Sequence, residues 1–198
     1  ISDYNKALEI DPVNVLAYNN RGISKKNLKD YYGAISDYNK AIELDPSDAD
    51  AYYNRGNSKK NLKDYRGAIS DFNKAIELDP NDIDSIDSYY NNGLLYVELD
   101  DYYGAISNFN KVIELNPNYE FKVYYNRAIS KRSIKDYNGA LIDYNKAIER
   151  YPNFKSSFRG RGILKEQLGD LNGACIDWRK ASELGDVDAS GWVEKQCN

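Results

Sequence analysis

Residues 34–46 read AISDYNKAIELDP, and residues 68–80 read AISDFNKAIELDP. The same segment returns at 105–117 and at 140–152, and it recurs in weaker form from Ala174. The alanines that open these segments are 34, 37, 35 and 34 residues apart. A nearly constant period of this length indicates an array in which one small structural unit is stacked several times.

Each repeat reads as two helices joined by a tight turn. In the second complete repeat, Ala68, Phe72 and Ala75 recur at the spacing of one helical face. Asp64 precedes this helix and is placed to accept hydrogen bonds from its free N–H groups. Pro80 lacks an amide donor and is expected to end the helix. Because one helix pair cannot bury both of its faces, neighbouring repeats are expected to stack.

This pattern resembles the tetratricopeptide repeat. The second complete repeat matches that family at Tyr52, Gly56, Tyr65, Ala68, Phe72, Ala75 and Pro80. The resemblance implies an all-α fold, a right-handed α-solenoid of antiparallel helix pairs that forms a superhelix. This sequence has Tyr or Phe where the family has Trp, and mostly Arg-Gly where it has Leu-Gly. The fold prediction is unaffected, because the small residue still lets two helices approach closely.

The period predicts a single solenoid domain from 1 to 198. Its parts are a half repeat at 1–14, complete repeats at 15–48, 49–82, 86–119, 121–154 and 155–185, and a capping helix at 186–198. Three extra residues, 83–85, precede the third repeat and are expected to alter its tilt or its loop. Residues 178–186 also resemble the Sel1-like relatives of the family.

Composition excludes several classes of function. The chain has 198 residues, a formal net charge of -4, two Cys and no His, and its mean hydropathy is -0.76. No apolar run is long enough for a membrane span, and His-dependent catalysis and the usual zinc sites are excluded. No phosphate-binding loop or nucleophile motif is present, so neither an enzyme nor a cofactor is expected.

Tyrosine is over-represented, with 19 Tyr against 5 Phe. Most of the tyrosines recur at fixed positions of the repeat, where a ring can bury apolar area while its hydroxyl reaches a polar partner or water. The surplus therefore follows from the repetition, and we expect these rings to pack between helices.

The two cysteines are Cys175 on the last complete repeat and Cys197 on the capping helix. The sequence favours two free thiols in a reducing compartment, which would suit the cytoplasm. A disulfide between them is the alternative, and it requires the cap to fold back on the repeat.

Charge is divided between the two helices of each repeat. Basic residues outnumber acidic ones in every complete repeat's first helix except the third, and the remainder of the chain is acidic. The resemblance implies that first helices line the concave side, so the groove would be basic and would attract acidic ligands. Alternatively, these lysines are solvated helix ends that complement the helix dipole.

Asparagine occupies one position of the first helix in four consecutive repeats: Asn20, Asn54, Asn91 and Asn126. A side-chain amide both donates and accepts, so it can pair with peptide backbone of any sequence. The arrangement is similar to the asparagine ladder in the tetratricopeptide superhelix of O-linked N-acetylglucosamine transferase, and that resemblance implies a grip on an extended chain. Alternatively, each Asn caps local backbone or contacts the next repeat.

The third repeat departs from the basic pattern with an apolar first helix. Its groove positions, with those of its neighbours, predict an apolar patch flanked by two cations. The predicted patch contains Tyr53, Tyr90, Leu94, Val97, Tyr125 and Ile129, and its flanking cations are Lys60 and Arg132. Ordinary core packing is the alternative interpretation of the apolar members.

Together these features predict a scaffold that binds an extended, acidic peptide segment of a partner protein. Single-stranded nucleic acid is the second candidate, because tyrosines on a basic surface can stack on bases. The net negative charge and the acidic third repeat argue against nucleic acid. A structural or self-associating role is the third candidate, because the first helix of the N-terminal half repeat is missing from this sequence.

Overall fold

A computed structural model describes residues 1–80 and 82–197. In that part of the chain there are twelve α-helices and no strand, so the all-α prediction is confirmed. The helices are α1 (Ser2–Ile10), α2 (Val15–Asn27), α3 (Tyr31–Leu44), α4 (Ala49–Asn61), α5 (Tyr65–Leu78), α6 (Ile83–Glu98), α7 (Tyr102–Leu115), α8 (Lys122–Ser133), α9 (Tyr137–Arg150), α10 (Lys155–Gln167), α11 (Leu171–Glu183) and α12 (Val187–Gln196).

The chain divides within α6 into two compact units, Ile1–Leu95 and Tyr96–Asn198. In the first unit α1 packs on α2, α2 on α3, α3 on α4, and α4 on α5. In the second unit the same succession runs from α7 through α12. Both units are stacks of consecutive helices, as expected of a tetratricopeptide-like solenoid. The single continuous domain stays a prediction.

The turn inside each helix pair follows the predicted chemistry. In the second repeat Lys63 adopts a left-handed φ of 62°, and Asp64 then caps α5 by accepting from the Gly67 N–H at 3.0 Å. A Cβ atom at Gly67 would lie 2.2 Å from the carboxylate of Asp64, so a larger residue there requires the Asp64 side chain to shift. α5 ends at Leu78, two residues before Pro80. The predicted start and end signals are confirmed.

At the core of each complete repeat, one large aromatic ring packs against the small residue of the repeat motif. These rings are almost completely buried in all five complete repeats, at Tyr38, Phe72, Phe109, Tyr144 and Trp178. A Cβ atom at Gly162 would lie 2.5 Å from Nε1 of Trp178. The small residue of the repeat motif therefore makes room for the ring.

The first helix of the third repeat begins before residue 86. α6 starts at Ile83, so the three inserted residues form its first turn and lengthen the helix. Ser85 is 2% exposed, and its hydroxyl donates to the carbonyl oxygen of Asp79 at the end of α5, so the extra turn lies against that helix end. The insertion therefore enters a helix and extends it at its N-terminal end, and the predicted repeat boundaries stay a prediction.

The C-terminal cap is present as α12, which packs against α11. Trp192 lies on Trp178 with ring centroids 5.2 Å apart, and Val193 packs against the same buried cluster. Cys175 and Cys197 form a disulfide, with Cα atoms 5.5 Å apart. The favoured free-thiol interpretation is not what the structure contains, because α12 folds back and brings the two cysteines together.

Candidate functional site

A buried aspartate joins the two helices of four complete repeats. In the fourth repeat the Asp143 carboxylate is 1% exposed. It accepts from Arg127 through Nε at 2.8 Å and through a terminal nitrogen at 2.6 Å, and Lys131 lies 2.9 Å from it. The equivalent trios are Arg21–Asp37–Lys25, Arg55–Asp71–Lys59 and Arg161–Asp177–Lys165.

The same arginines also tie each repeat to the preceding one. The free terminal nitrogen of Arg127 donates to the Asn110 side chain at 2.7 Å. The equivalent bonds run from Arg21 to Asn5, from Arg55 to Asn39, and from Arg161 to Asn145. The Arg-Gly departure from the family pattern is thus part of a polar network that repeats along the chain.

This network changes the interpretation of the basic first helices. Eight of the cations counted there are paired with buried aspartates of the second helices, two to each aspartate. They therefore do not form a free basic surface. These pairs are hard to predict from the sequence, because the aspartates lie 16 residues after the arginines and 12 residues after the lysines and look like ordinary solvated charges.

Lys26 and Lys60, on the first helices of the first unit, have asparagine partners in place of these aspartates. Lys26 on α2 donates from Nζ to Oδ1 of Asn54 on α4 at 3.0 Å. Lys60 on α4 donates in the same way to Oδ1 of Asn91 on α6 at 2.7 Å. Two of the predicted ladder asparagines are therefore each held by a lysine of the preceding repeat. We call α2, α4 and residues 83–95 of α6, where these pairs lie, the first-helix surface.

Both ammonium groups are partly withdrawn from water. Burial lowers the pKa of Lys26, and Asp84 opposes that change. Burial also lowers the pKa of Lys60, the charge of Lys26 lowers it further, and Asp87 opposes both effects. Each lysine donates here to a neutral amide oxygen, so its positive charge is incompletely compensated.

The four predicted ladder asparagines differ in environment. In the first unit Asn20 is exposed, Asn54 is half-buried, and Asn91 is 8% exposed. In the second unit Asn126 is half-buried. The third repeat has Val97 at the position of Lys26 and Lys60 in its predecessors, and a valine side chain cannot donate. Val97 therefore cannot form the kind of pair that Lys26 and Lys60 form in the first unit.

The predicted apolar patch has members in both units. In the first unit the Tyr53 ring lies 5.8 Å from the Phe72 ring. In the second, Tyr125 lies 5.1 Å from the Phe154 ring, and Ile129 packs against the buried cluster around Tyr144. These three side chains contribute to core packing, which was the alternative interpretation.

The other predicted patch residues, Tyr90, Leu94, Val97 and Arg132, are half-buried. Their assembly into one patch stays a prediction.

Acidic groups also lie on the first unit. The carboxylate oxygens of Asp50, Asp82 and Asp84 come within 4.8 Å of one another. Burial raises the pKa of both Asp50 and Asp84, and neighbouring carboxylates raise it further. The first unit thus presents negative charge close to its two lysines, and phosphate backbones would be repelled there.

Comparison with known families agrees with the repeat pattern. Tetratricopeptide-repeat family models match residues 49–82 and 86–119, 27–63, and 121–154. The chain belongs to the tetratricopeptide-repeat family. The match to Sel1-like relatives stays a prediction. No curated protein matches this chain significantly in sequence.

Solved structures of tetratricopeptide-repeat proteins share the fold. One is the crystal structure of YrrB, described as a TPR protein with an unusual peptide-binding site; it is 23% identical, with a TM-score of 0.84 and 97% of each chain covered. A crystal structure of MamA is 24% identical, with a TM-score of 0.79, covering 91% of this chain and 94% of MamA.

MamA from Desulfovibrio magneticus RS-1 is 19% identical, with a TM-score of 0.80, and the match covers 86% of this chain and 94% of the MamA chain. These likenesses show the fold.

Within the described part of the chain, no helix has the length and apolar character needed to cross a membrane.

Proposed function

We propose that this protein is an interaction scaffold whose first-helix surface binds an extended peptide segment of a partner protein. The observation that carries the proposal is the pair of lysine-held asparagines, Asn54 and Asn91, on adjacent first helices. Each uses its amide oxygen to accept from lysine, so its Nδ2 group is oriented by that bond and can donate to a ligand carbonyl.

The family and the fold support this class of function. Tetratricopeptide repeats typically serve as non-enzymatic interaction scaffolds, and YrrB is described as having a peptide-binding site. An acidic ligand is supported by the half-buried ammonium groups of Lys26 and Lys60, which a carboxylate would compensate. Nucleic acid is disfavoured because Asp50 and Asp84 lie on the same unit.

A peptide-display selection followed by calorimetry tests the proposal. Peptides selected on the wild-type protein should bind at least roughly tenfold more weakly to the N54A/N91A variant, because two ligand-facing amides are removed. The matched control is N138A, which removes an exposed amide from α9 and should leave the affinity unchanged. Equal affinities for the wild type and N54A/N91A, with folding intact by circular dichroism, would overturn the proposal.

A further inference from the structure

The two Lys–Asn pairs of the first-helix surface are successive copies of one arrangement. Lys26 and Lys60 occupy the same position of consecutive first helices, as do their acceptors Asn54 and Asn91. α2 packs against α4 within the first unit. Axes of packed helices are separated by about 8–10 Å, and because the pairs are one repeat apart we expect them to recur at about that interval.

Each pair offers the donors that a carboxylate requires. An ammonium group has three N–H bonds, and one of them is used on the Asn oxygen. A ligand carboxylate placed beside the pair could accept from the ammonium group and from the Asn Nδ2 group together. Bonds of this kind are charge-assisted and are the stronger class of hydrogen bond. The partial burial of both lysines increases the benefit of a compensating negative charge.

The interval between the pairs selects a backbone conformation and a spacing. A polyproline II helix rises about 3.1 Å per residue with three residues per turn, so residues i and i+3 share a face about 9.3 Å apart. In a β-strand those residues point to opposite faces.

We infer that the first-helix surface binds a polyproline II segment with acidic side chains at i and i+3, one carboxylate on each Lys–Asn pair. This inference rests on the proposed function and names its ligand class.

The acidic groups of the first unit sharpen this specificity. Asp84 and Asp87 lie close enough to Lys26 and Lys60 to affect their pKa values. Additional carboxylates on the ligand would be repelled by these aspartates. A ligand with acids only at i and i+3 should therefore bind better than a uniformly acidic peptide.

Fluorescence anisotropy with synthetic peptides tests the spacing. The probe is fluorescein-labelled Pro-Glu-Pro-Pro-Glu-Pro, which places glutamates at i and i+3 in a polyproline II context. Comparison peptides are Pro-Glu-Pro-Glu-Pro-Pro, the hexaglutamate, and Pro-Gln-Pro-Pro-Gln-Pro. The i, i+3 probe should bind at least roughly tenfold more tightly than each comparison peptide, since the others lose one or both charge-assisted contacts or add repulsion.

Lysine variants connect the preference to the pairs. K26Q and K60Q should each weaken binding of the i, i+3 probe roughly tenfold and leave the Gln peptide unaffected. The matched control K146Q alters a lysine whose partner is the exposed Glu149 and should not change any affinity. A preference for i, i+3 that survives in the K26Q/K60Q double variant would overturn the inference.

The failure of this inference is distinguishable from failure of the proposed function. If peptides selected by display bind through Asn54 and Asn91 but the i, i+3 probe has no advantage, the ligand class is wrong and the peptide-binding function stands. If neither selected peptides nor the probe depends on these asparagines, both are wrong.

Discussion

The strongest prediction for stability concerns the buried aspartate of the fourth repeat. Asp143 is 1% exposed and accepts from Arg127 and Lys131. Replacement by Asn keeps the size of the side chain but removes its charge and one acceptor oxygen. Losing one partner of a buried ion pair costs about 3–5 kcal/mol. Because the side chains of Arg127 and Lys131 are 15% and 17% exposed, we expect a loss near the lower limit, about 3 kcal/mol.

Tryptophan fluorescence during urea unfolding measures this loss in the second unit. The only two tryptophans, Trp178 and Trp192, both lie there. With a slope of about 1–3 kcal/mol per M urea, D143N should lower the midpoint by roughly 1–3 M. The control E149Q removes an exposed pair and should change the free energy of unfolding by at most about 0.5 kcal/mol.

A double-mutant cycle makes the reasoning refutable. If the carboxylate acts through Arg127, D143N should cost less in a background that already carries R127L, the residue usual for the family at that position. A D143N protein within about 0.5 kcal/mol of wild type, or full additivity of D143N with R127L, would refute the account of the trio.

Three further changes have defined outcomes. Burial raises the pKa of Tyr144 to about 12, above the value of about 10 in the unfolded chain. The contribution of Tyr144 to the free energy of unfolding therefore falls as the pH rises between these two values. The Y144F variant should show a smaller fall in urea titrations at alkaline pH. G162A should cost about 1–3 kcal/mol because a Cβ would clash with Trp178, whereas G191A, with open space, should stabilise by about 0.5–1 kcal/mol. C197S removes the disulfide that closes a loop of 22 residues, so it should lower the free energy of unfolding of the second unit by about 3 kcal/mol. Fluorescence-detected unfolding measures this loss.

The sequence was sufficient to predict the helices and their turns because these depend on local chemistry. Asp64 and Pro80 act on residues close to them in the chain, and the repeat multiplies each signal. The start of α6 was missed because Ile83 belongs to an insertion outside the repeat pattern. The insertion continues the helix, since α6 begins at Ile83, and Ser85 in its first turn donates to the carbonyl oxygen of Asp79.

The candidate site was only partly predictable. The Asn54 and Asn91 positions stand out in the sequence, but their lysine partners lie 28 and 31 residues earlier. Connecting them requires knowledge that consecutive first helices are neighbours. For that reason Lys26 is not among the predicted site residues. A lysine in one first helix with an asparagine 28 residues later in the next first helix is the sequence pattern that would have predicted it. The arginines of the Arg-Gly positions likewise stand out in the sequence only as a departure from the family pattern, because their aspartate partners lie 16 residues later.

The most direct test of peptide binding is the NMR signal of the side-chain amides of Asn54 and Asn91. When ¹⁵N-labelled protein is titrated with a display-selected peptide, both Nδ2–H₂ signals should shift. The affinity obtained from these shifts should agree with the affinity measured by calorimetry. The exposed amide of Asn138 should not shift. Binding that leaves the signals of Asn54 and Asn91 in place would contradict the assignment of the ligand to the first-helix surface.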